Sequence, residues 1–200
     1  MQEDIKMKKP SLLLYIHGFN SSPLSHKAQV MSRYCKNERP DIRVITPRLP
    51  SYPKEAAEFL VNLIEEYRSD YTIGLVGSSL GGYLSTWLHD QYGYKAVLVN
   101  PAIKPDELLA DYLGKQVNPY TNETYFLEAQ HMAELQALAI AAITSPEDLW
   151  LLQQEGDEVL DYRQAVEKYA QSKQIVEKGG DHSFVDFERY PEQIIQFLNL

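Results

Sequence analysis

The chain has 200 residues, 44% of them hydrophobic, which suits one compact domain with a sizeable core. A formal net charge of −9 argues against nucleic acid and anionic membrane surfaces as partners. The single cysteine, Cys35, excludes an internal disulfide, fits a reducing cytoplasm and reads as a small residue on a helix.

The basic N-terminal stretch leads into an apolar run that soon reaches His17 and Gly18, too short for the core of a secretory signal. That run, "SLLLYIH" (11–17), predicts the first strand. "RVITP" (43–47), "YTIGLVG" (71–77), "KAVLVN" (95–100), "DLWLLQ" (148–153) and "KQIVEK" (173–178) predict the others. They are continuous rather than alternating, as strands buried on both faces should be. Residues 54–68 carry Ala56, Phe59, Leu60, Leu63, Ile64 and Tyr67 at helical spacing, and 82–91 carry Leu84, Trp87 and Leu88 on one face. Asp161 with Gln164 reads as an N-cap and capping-box partner, opening a helix with Ala165, Val166 and Tyr169 inward. Pro191 suits the first position of a last helix that buries Ile194, Ile195 and Leu198. Strands alternating with helices imply right-handed crossovers and a mostly parallel sheet with helices on both faces.

One interval breaks this rhythm. About 48 residues separate the strand near Asn100 from the one near Asp148, far more than a single crossover needs. The interval 103–145 reads as a cap inserted at the carboxyl edge of the sheet, or more simply as helices plus a loop. Its segment "ALAIAAI" (137–143) is too short to cross a membrane and reads as packed helix. Its stretch "NPYTNETYF" (118–126) offers Tyr120, Tyr125 and Phe126 as candidate walls for an apolar substrate group.

The chemistry centres on "LVGSSLGGY" (75–83), where Gly77, Ser79 and Gly81 form G-x-S-x-G between a strand and a helix. Such a turn forces strained backbone angles on the serine, and the flanking glycines remove side chains that would collide. It also sets the hydroxyl at a helix N-terminus, where free N–H groups stabilise negative charge. Ser78 reads as a supporting hydrogen bonder. A serine needs a base. Of the five histidines, His182 lies just past a late strand in "EKGGDHSF". His17 reads as a prop for the loop "HGFNSS", and His26, His89 and His131 fall in helical patterns. The base needs an acid, and Asp157 follows the penultimate strand, with Glu155, Glu158, Asp161 and Asp181 as rivals. The order Ser79, Asp157, His182 is the one an α/β-hydrolase requires. An oxyanion hole is expected from the Leu80 and Phe19 N–H groups. No His/Cys/Asp cluster has metal-ligand spacing, and no cofactor is expected.

These residues, in "YIHGFNSSPLSHKA", "GSSLGGYLSTWL", "NPAIKP", "GDEVLDY" and "GGDHSFVDFERY", resemble the α/β-hydrolase superfamily. More narrowly, they resemble the small bacterial YqiA-type esterases of the UPF0227 family. The resemblance covers nearly all of 1–200. It implies a single three-layer α/β-hydrolase domain with a small cap, and a cytoplasmic serine esterase acting on acyl esters or acyl thioesters. The expected partner is therefore a small-molecule ester or thioester, with neither nucleic acid nor membrane. Two other readings stay open: an acyltransferase using the same three residues, and a non-catalytic binding protein on a hydrolase scaffold.

Overall fold

The computed structural model describes residues 9–200, so the basic residues at 1–8 lie outside it. In chain order, β1 (Ser11–Ile16), α1 (His26–Glu38), β2 (Ile42–Ile45), α2 (Pro53–Tyr67) and β3 (Thr72–Ser78) come first. Then follow α3 (Leu80–Tyr92), β4 (Ala96–Val99), α4 (Pro105–Leu109), β5 (Gly114–Val117), β6 (Thr124–Leu127) and α5 (Ala129–Ala137). The chain closes with β7 (Leu149–Gln154), α6 (Tyr162–Lys168), β8 (Lys173–Glu177) and α7 (Pro191–Leu198).

Six strands form one sheet in the order β2-β1-β3-β4-β7-β8, and every neighbouring pair is parallel. The continuous apolar runs are explained by two cores. Leu12, Leu14, Ile16, Leu75 and Leu98 face one side, against Leu60 and Ile64 of α2 and Leu84 and Leu88 of α3. Leu13, Tyr15, Val76, Val97 and Val99 face the other, against Met31 of α1 and Ile194, Ile195 and Leu198 of α7. Alternate residues of the central strands β1, β3, β4 and β7 thus enter opposite cores, while the edge strands β2 and β8 keep residues in contact with solvent.

The strand order reverses beside β1. The chain moves outward from β1 to β2, then returns to β3 on the other flank of β1. In an open parallel sheet a crevice forms at the carboxyl ends of the strands at such a switch point. The loops after β1 and β3, which carry Gly18 and Ser79, meet there.

The 103–145 insertion contains α4, an antiparallel β5–β6 hairpin and α5. Helix α5 stops at Ala137, so "ALAIAAI" is not the packed helix its composition predicts. Beyond Leu138 the chain is irregular and largely exposed, and its Ile140 carbonyl accepts from Lys168 Nζ. Only Leu138 and Ile143 of this run pack against the core, too few for a helix to be held by an apolar face. Asp161 caps α6, but through the Arg163 N–H at 3.1 Å and the Arg163 guanidinium at 2.8 Å; Gln164 forms no capping box.

Candidate active site

Ser79 sits between β3 and α3 with φ 55° and ψ −120°, a region that costs a non-glycine residue roughly 1–3 kcal/mol. Hydrogen bonds hold it there. Its N–H donates to the Val99 carbonyl at 3.1 Å, and its carbonyl accepts from Gly82 at 2.9 Å and Ala102 at 3.0 Å. A Cβ on Gly77 would strike the Gly81 carbonyl, and one on Gly81 would strike the Ile16 carbonyl. Both positions are therefore glycine because the backbone passes too close for anything else.

The bend aims the Ser79 hydroxyl at His182, with Oγ 3.1 Å from Nε2. The other ring nitrogen, Nδ1, lies 2.8 Å from Asp157 Oδ2. The Asp157 side chain is fully buried, and its Oδ1 accepts the N–H groups of Val159 at 2.9 Å and Leu160 at 2.8 Å. Asp157 is thus an acceptor on both oxygens, which leaves the Nδ1 proton pointing at it and Nε2 free to accept from Ser79. Two of the rival carboxylates are engaged elsewhere. Glu158 accepts the His182 backbone N–H at 2.9 Å, a bond that holds its carboxyl below the usual range. Asp161 caps α6.

The loop bearing His182 is clamped by side chains that sequence reasoning does not single out. Asn100 Nδ2 donates to the carbonyls of Asp181 (2.9 Å) and His182 (3.1 Å), while Asn100 Oδ1 accepts from Gln154 N–H at 2.9 Å. Gln154 Oε1 accepts from the N–H groups of Asp181 (3.2 Å) and Val185 (2.9 Å). The one available signal is a polar residue closing each apolar run, Asn100 after β4 and Gln154 at the end of β7.

Gly18 abuts the serine: a Cβ there would lie 3.2 Å from Ser79 Cβ. Next along the chain is the Phe19 N–H, and Leu80 is the first residue of α3, whose N–H has no carbonyl one turn back. Neither N–H has a hydrogen-bond partner among the described residues. The Phe19 loop is tied to the 103–145 segment: Tyr125 donates its hydroxyl to Asn20 Oδ1 at 2.7 Å, and Asn118 Nδ2 donates to the Ser21 carbonyl at 3.0 Å.

A narrow cleft is lined by Gly18, Phe19 and Leu80 at the serine. Leu84, Leu109, Leu127 and Leu135 line it together with Tyr52, Pro53 and Ala56. Tyr125 lines it and is 6% exposed. Tyr120 and Phe126, expected beside it, are 49% and 58% exposed and do not line it. Strand β6 alternates, so Tyr125 and Leu127 point inward while Thr124 and Phe126 point out; Tyr120 lies in the connecting turn. Tyr52, Leu84, Leu109 and Leu135 are lining residues that sequence reasoning does not find, because in the sequence they look like ordinary core.

The other histidines serve structure. His17 is buried, and its Nε2 accepts from the Leu49 N–H at 3.2 Å; burial pushes it below the usual histidine value, partly offset by the Gly18 carbonyl. His89 bonds the Tyr94 carbonyl at 2.7 Å, and His131 accepts the Glu128 N–H at 2.8 Å. His26 pairs with Glu188 at the surface, 2.7 Å apart. Among the described residues no cluster of three or more His, Cys, Asp or Glu could hold a metal ion, and no helix is long and apolar enough to cross a membrane.

This architecture is that of the α/β hydrolases. Est1E of Butyrivibrio proteoclasticus superposes with a TM-score of 0.71 at 13% identity, over 97% of this chain and 89% of that one. Mouse alpha/beta hydrolase domain-containing protein 10 superposes with a TM-score of 0.71 at 18% identity, over 100% and 92%. The esterase domain of a Rhodothermus marinus protein gives a TM-score of 0.65 at 13% identity, over 95% and 87%.

Within that fold the chain belongs to UPF0227, an uncharacterised protein family whose model matches residues 12–199. A UPF0227 protein of Shewanella loihica is 30% identical over 112 residues, 54% of this chain and 58% of that one. A second, from Shewanella sp. strain MR-7, is 28% identical over 102 residues, 49% and 55% respectively. The matched stretch thus spans little more than half the length of these relatives.

Proposed function

We propose that the protein is a serine hydrolase that cleaves carboxylic esters or thioesters through an acyl-enzyme on Ser79. The observation that carries this reading is the unbroken line from Ser79 Oγ to His182 Nε2 (3.1 Å) and from His182 Nδ1 to Asp157 Oδ2 (2.8 Å). His182 takes the hydroxyl proton as Ser79 Oγ bonds to the acyl carbon. The oxyanion that forms receives the N–H groups of Phe19 and Leu80. The tetrahedral species collapses, the bond to the alcohol or thiol breaks, and His182 returns the proton to that leaving group. Water then repeats the sequence, with His182 accepting its proton and Ser79 recovering one as the acid leaves. Asp157 keeps the imidazole in the required tautomer and stabilises the imidazolium.

The cavity next to the two N–H groups supports an apolar acyl portion, since leucine, proline, alanine and aromatic side chains together form most of its wall. Related folds fit the same chemistry: Est1E has been solved with ferulic acid bound, and the Rhodothermus domain is an esterase domain. The reading includes a cytoplasmic location, in keeping with the buried free thiol of Cys35, and a small-molecule substrate rather than a nucleic acid or membrane partner. Hydrolysis of 4-nitrophenyl esters and acyl-coenzyme A thioesters of graded chain length, by wild type and Ser79→Ala, tests it. The proposal requires turnover by wild type of at least one series and its loss in the variant. Equal turnover by both proteins would refute it.

A further inference from the structure

Lys27 lies in the first turn of α1, on the side of the sheet away from the 103–145 segment. Its Nζ donates to the Ser183 carbonyl at 2.7 Å. Asn100 already holds the two preceding carbonyls, those of Asp181 and His182. Three consecutive carbonyls of the loop that presents His182 are therefore each fixed by a side chain. Two of the bonds come from a neutral amide and the third from an ammonium group.

The surroundings of that ammonium are acidic. Asp181 in the same loop and Asp157 after β7 both favour its charged form. Burial opposes them and prevails, lowering Lys27 to about 8. Asp181 Oδ1 is buried and has no hydrogen-bond partner among the described residues. Glu158, the other carboxylate beside this loop, is bonded to the His182 N–H. On α1 itself, the adjacent His26 is paired with Glu188.

We propose that Lys27 is a positioning residue for His182, anchoring its loop at Ser183 and offsetting the negative charge of Asp157, the carboxylate on the imidazole, and of Asp181 in the same loop. This rests on the reading of Ser79 and His182 as the reacting pair. Carboxylates crowded around an imidazole favour its protonated form, which cannot accept the serine proton. A cation in the same cluster counters them. Without it, His182 keeps its proton to higher pH, and the acid limb of the rate profile moves with it.

The test is an NMR titration of the His182 ring, assigned with His182→Gln, in wild type, Lys27→Met and Lys27→Arg. The rate of Ser79 labelling by a fluorophosphonate is measured over the same pH range. Lys27→Met should raise the titration midpoint by about half a pH unit, the order expected for one unit charge removed from a partly solvated site. The labelling profile should shift in the same direction. Lys27→Arg, which keeps the charge and a donor, should restore both. If Lys27→Met does not fold, Lys27→Gln carries the same expectation. A midpoint unchanged in the folded neutral variant, or raised equally in the arginine variant, overturns the proposal. The titration needs no turnover, so it judges Lys27 even if Ser79 proves unreactive, an outcome that would instead refute the hydrolase reading.

Discussion

Replacing Asp157 by Asn alters a single atom type and should nevertheless disable the reaction. Two backbone N–H groups, from Val159 and Leu160, point at Oδ1. In the variant they require an acceptor, so the amide oxygen must take that position and the NH₂ group must turn to His182 Nδ1. Nδ1 then becomes an acceptor, and the ring proton moves to Nε2, where it faces Ser79 Oγ. In that tautomer the imidazole cannot take the serine proton. A reversed tautomer in a serine hydrolase of another fold lowers kcat by about 10⁴, equivalent to roughly 5.5 kcal/mol of transition-state stabilisation. The fold should survive, because every hydrogen bond of the side chain is replaced by another. Asp181→Asn, which leaves the tautomer alone, should cost less than about tenfold by comparison. The assay is kcat for the best ester substrate, with the melting temperature measured alongside. A folded Asp157→Asn variant with kcat within about tenfold of wild type would refute this account of the acid.

Tyr125→Ala should open the cavity and raise kcat/KM for a hexanoyl ester relative to an acetyl ester by about tenfold or more, since each buried methylene is worth about 0.8 kcal/mol. Tyr120→Ala and Phe126→Ala should leave that ratio within about twofold, and a change in either would return them to the acyl wall. Gly81→Ala should destabilise the fold by roughly 2 kcal/mol or more, because its Cβ would meet the Ile16 carbonyl; an unchanged denaturation midpoint would contradict the close approach. Glu177 is raised by burial but held at about 2 by Arg189, Tyr190 and Gln154. Its folded value lies below its unfolded one, so its contribution is complete above about pH 4.5 and is lost as pH falls toward 2. Glu177→Gln should therefore flatten the acid decline of stability in that window, and a variant that declines as steeply as wild type would show that the group contributes little.

Ser79 is legible in the sequence because its requirements are local. A strand, a tight turn and a helix follow one another within "YTIGLVGSSLGGYLSTWL", and two glycines mark where backbone meets backbone. His182 and Asp157 are legible as positions just past strands, since every strand of a parallel sheet delivers its following loop to the same edge. The clamp on the His182 loop is not legible. Asn100, Gln154 and Lys27 come from three separate parts of the chain, and only folding brings them together on that loop. The 103–145 segment shows a different failure. Composition marks "NPYTNETYF" as aromatic, but a two-residue period decides that Tyr125 faces inward and Phe126 outward, and that period appears only once the segment pairs as a strand with Gly114–Val117. The end of α5 fails for a related reason, because composition in "ALAIAAI" does not fix where a helix stops, and Leu138 and Ile143 reach the core from irregular backbone instead.

The central claim is that Ser79 is a nucleophile activated by His182. Intact-protein and peptide mass spectrometry after exposure to a fluorophosphonate addresses it directly, without knowledge of the natural substrate. One phosphonyl group should attach per chain, on Ser79, with loss of fluoride. Labelling should fall by orders of magnitude in His182→Ala and disappear in Ser79→Ala. A wild-type protein that stays unlabelled while folded, or one labelled as fast without His182 as with it, would contradict the account.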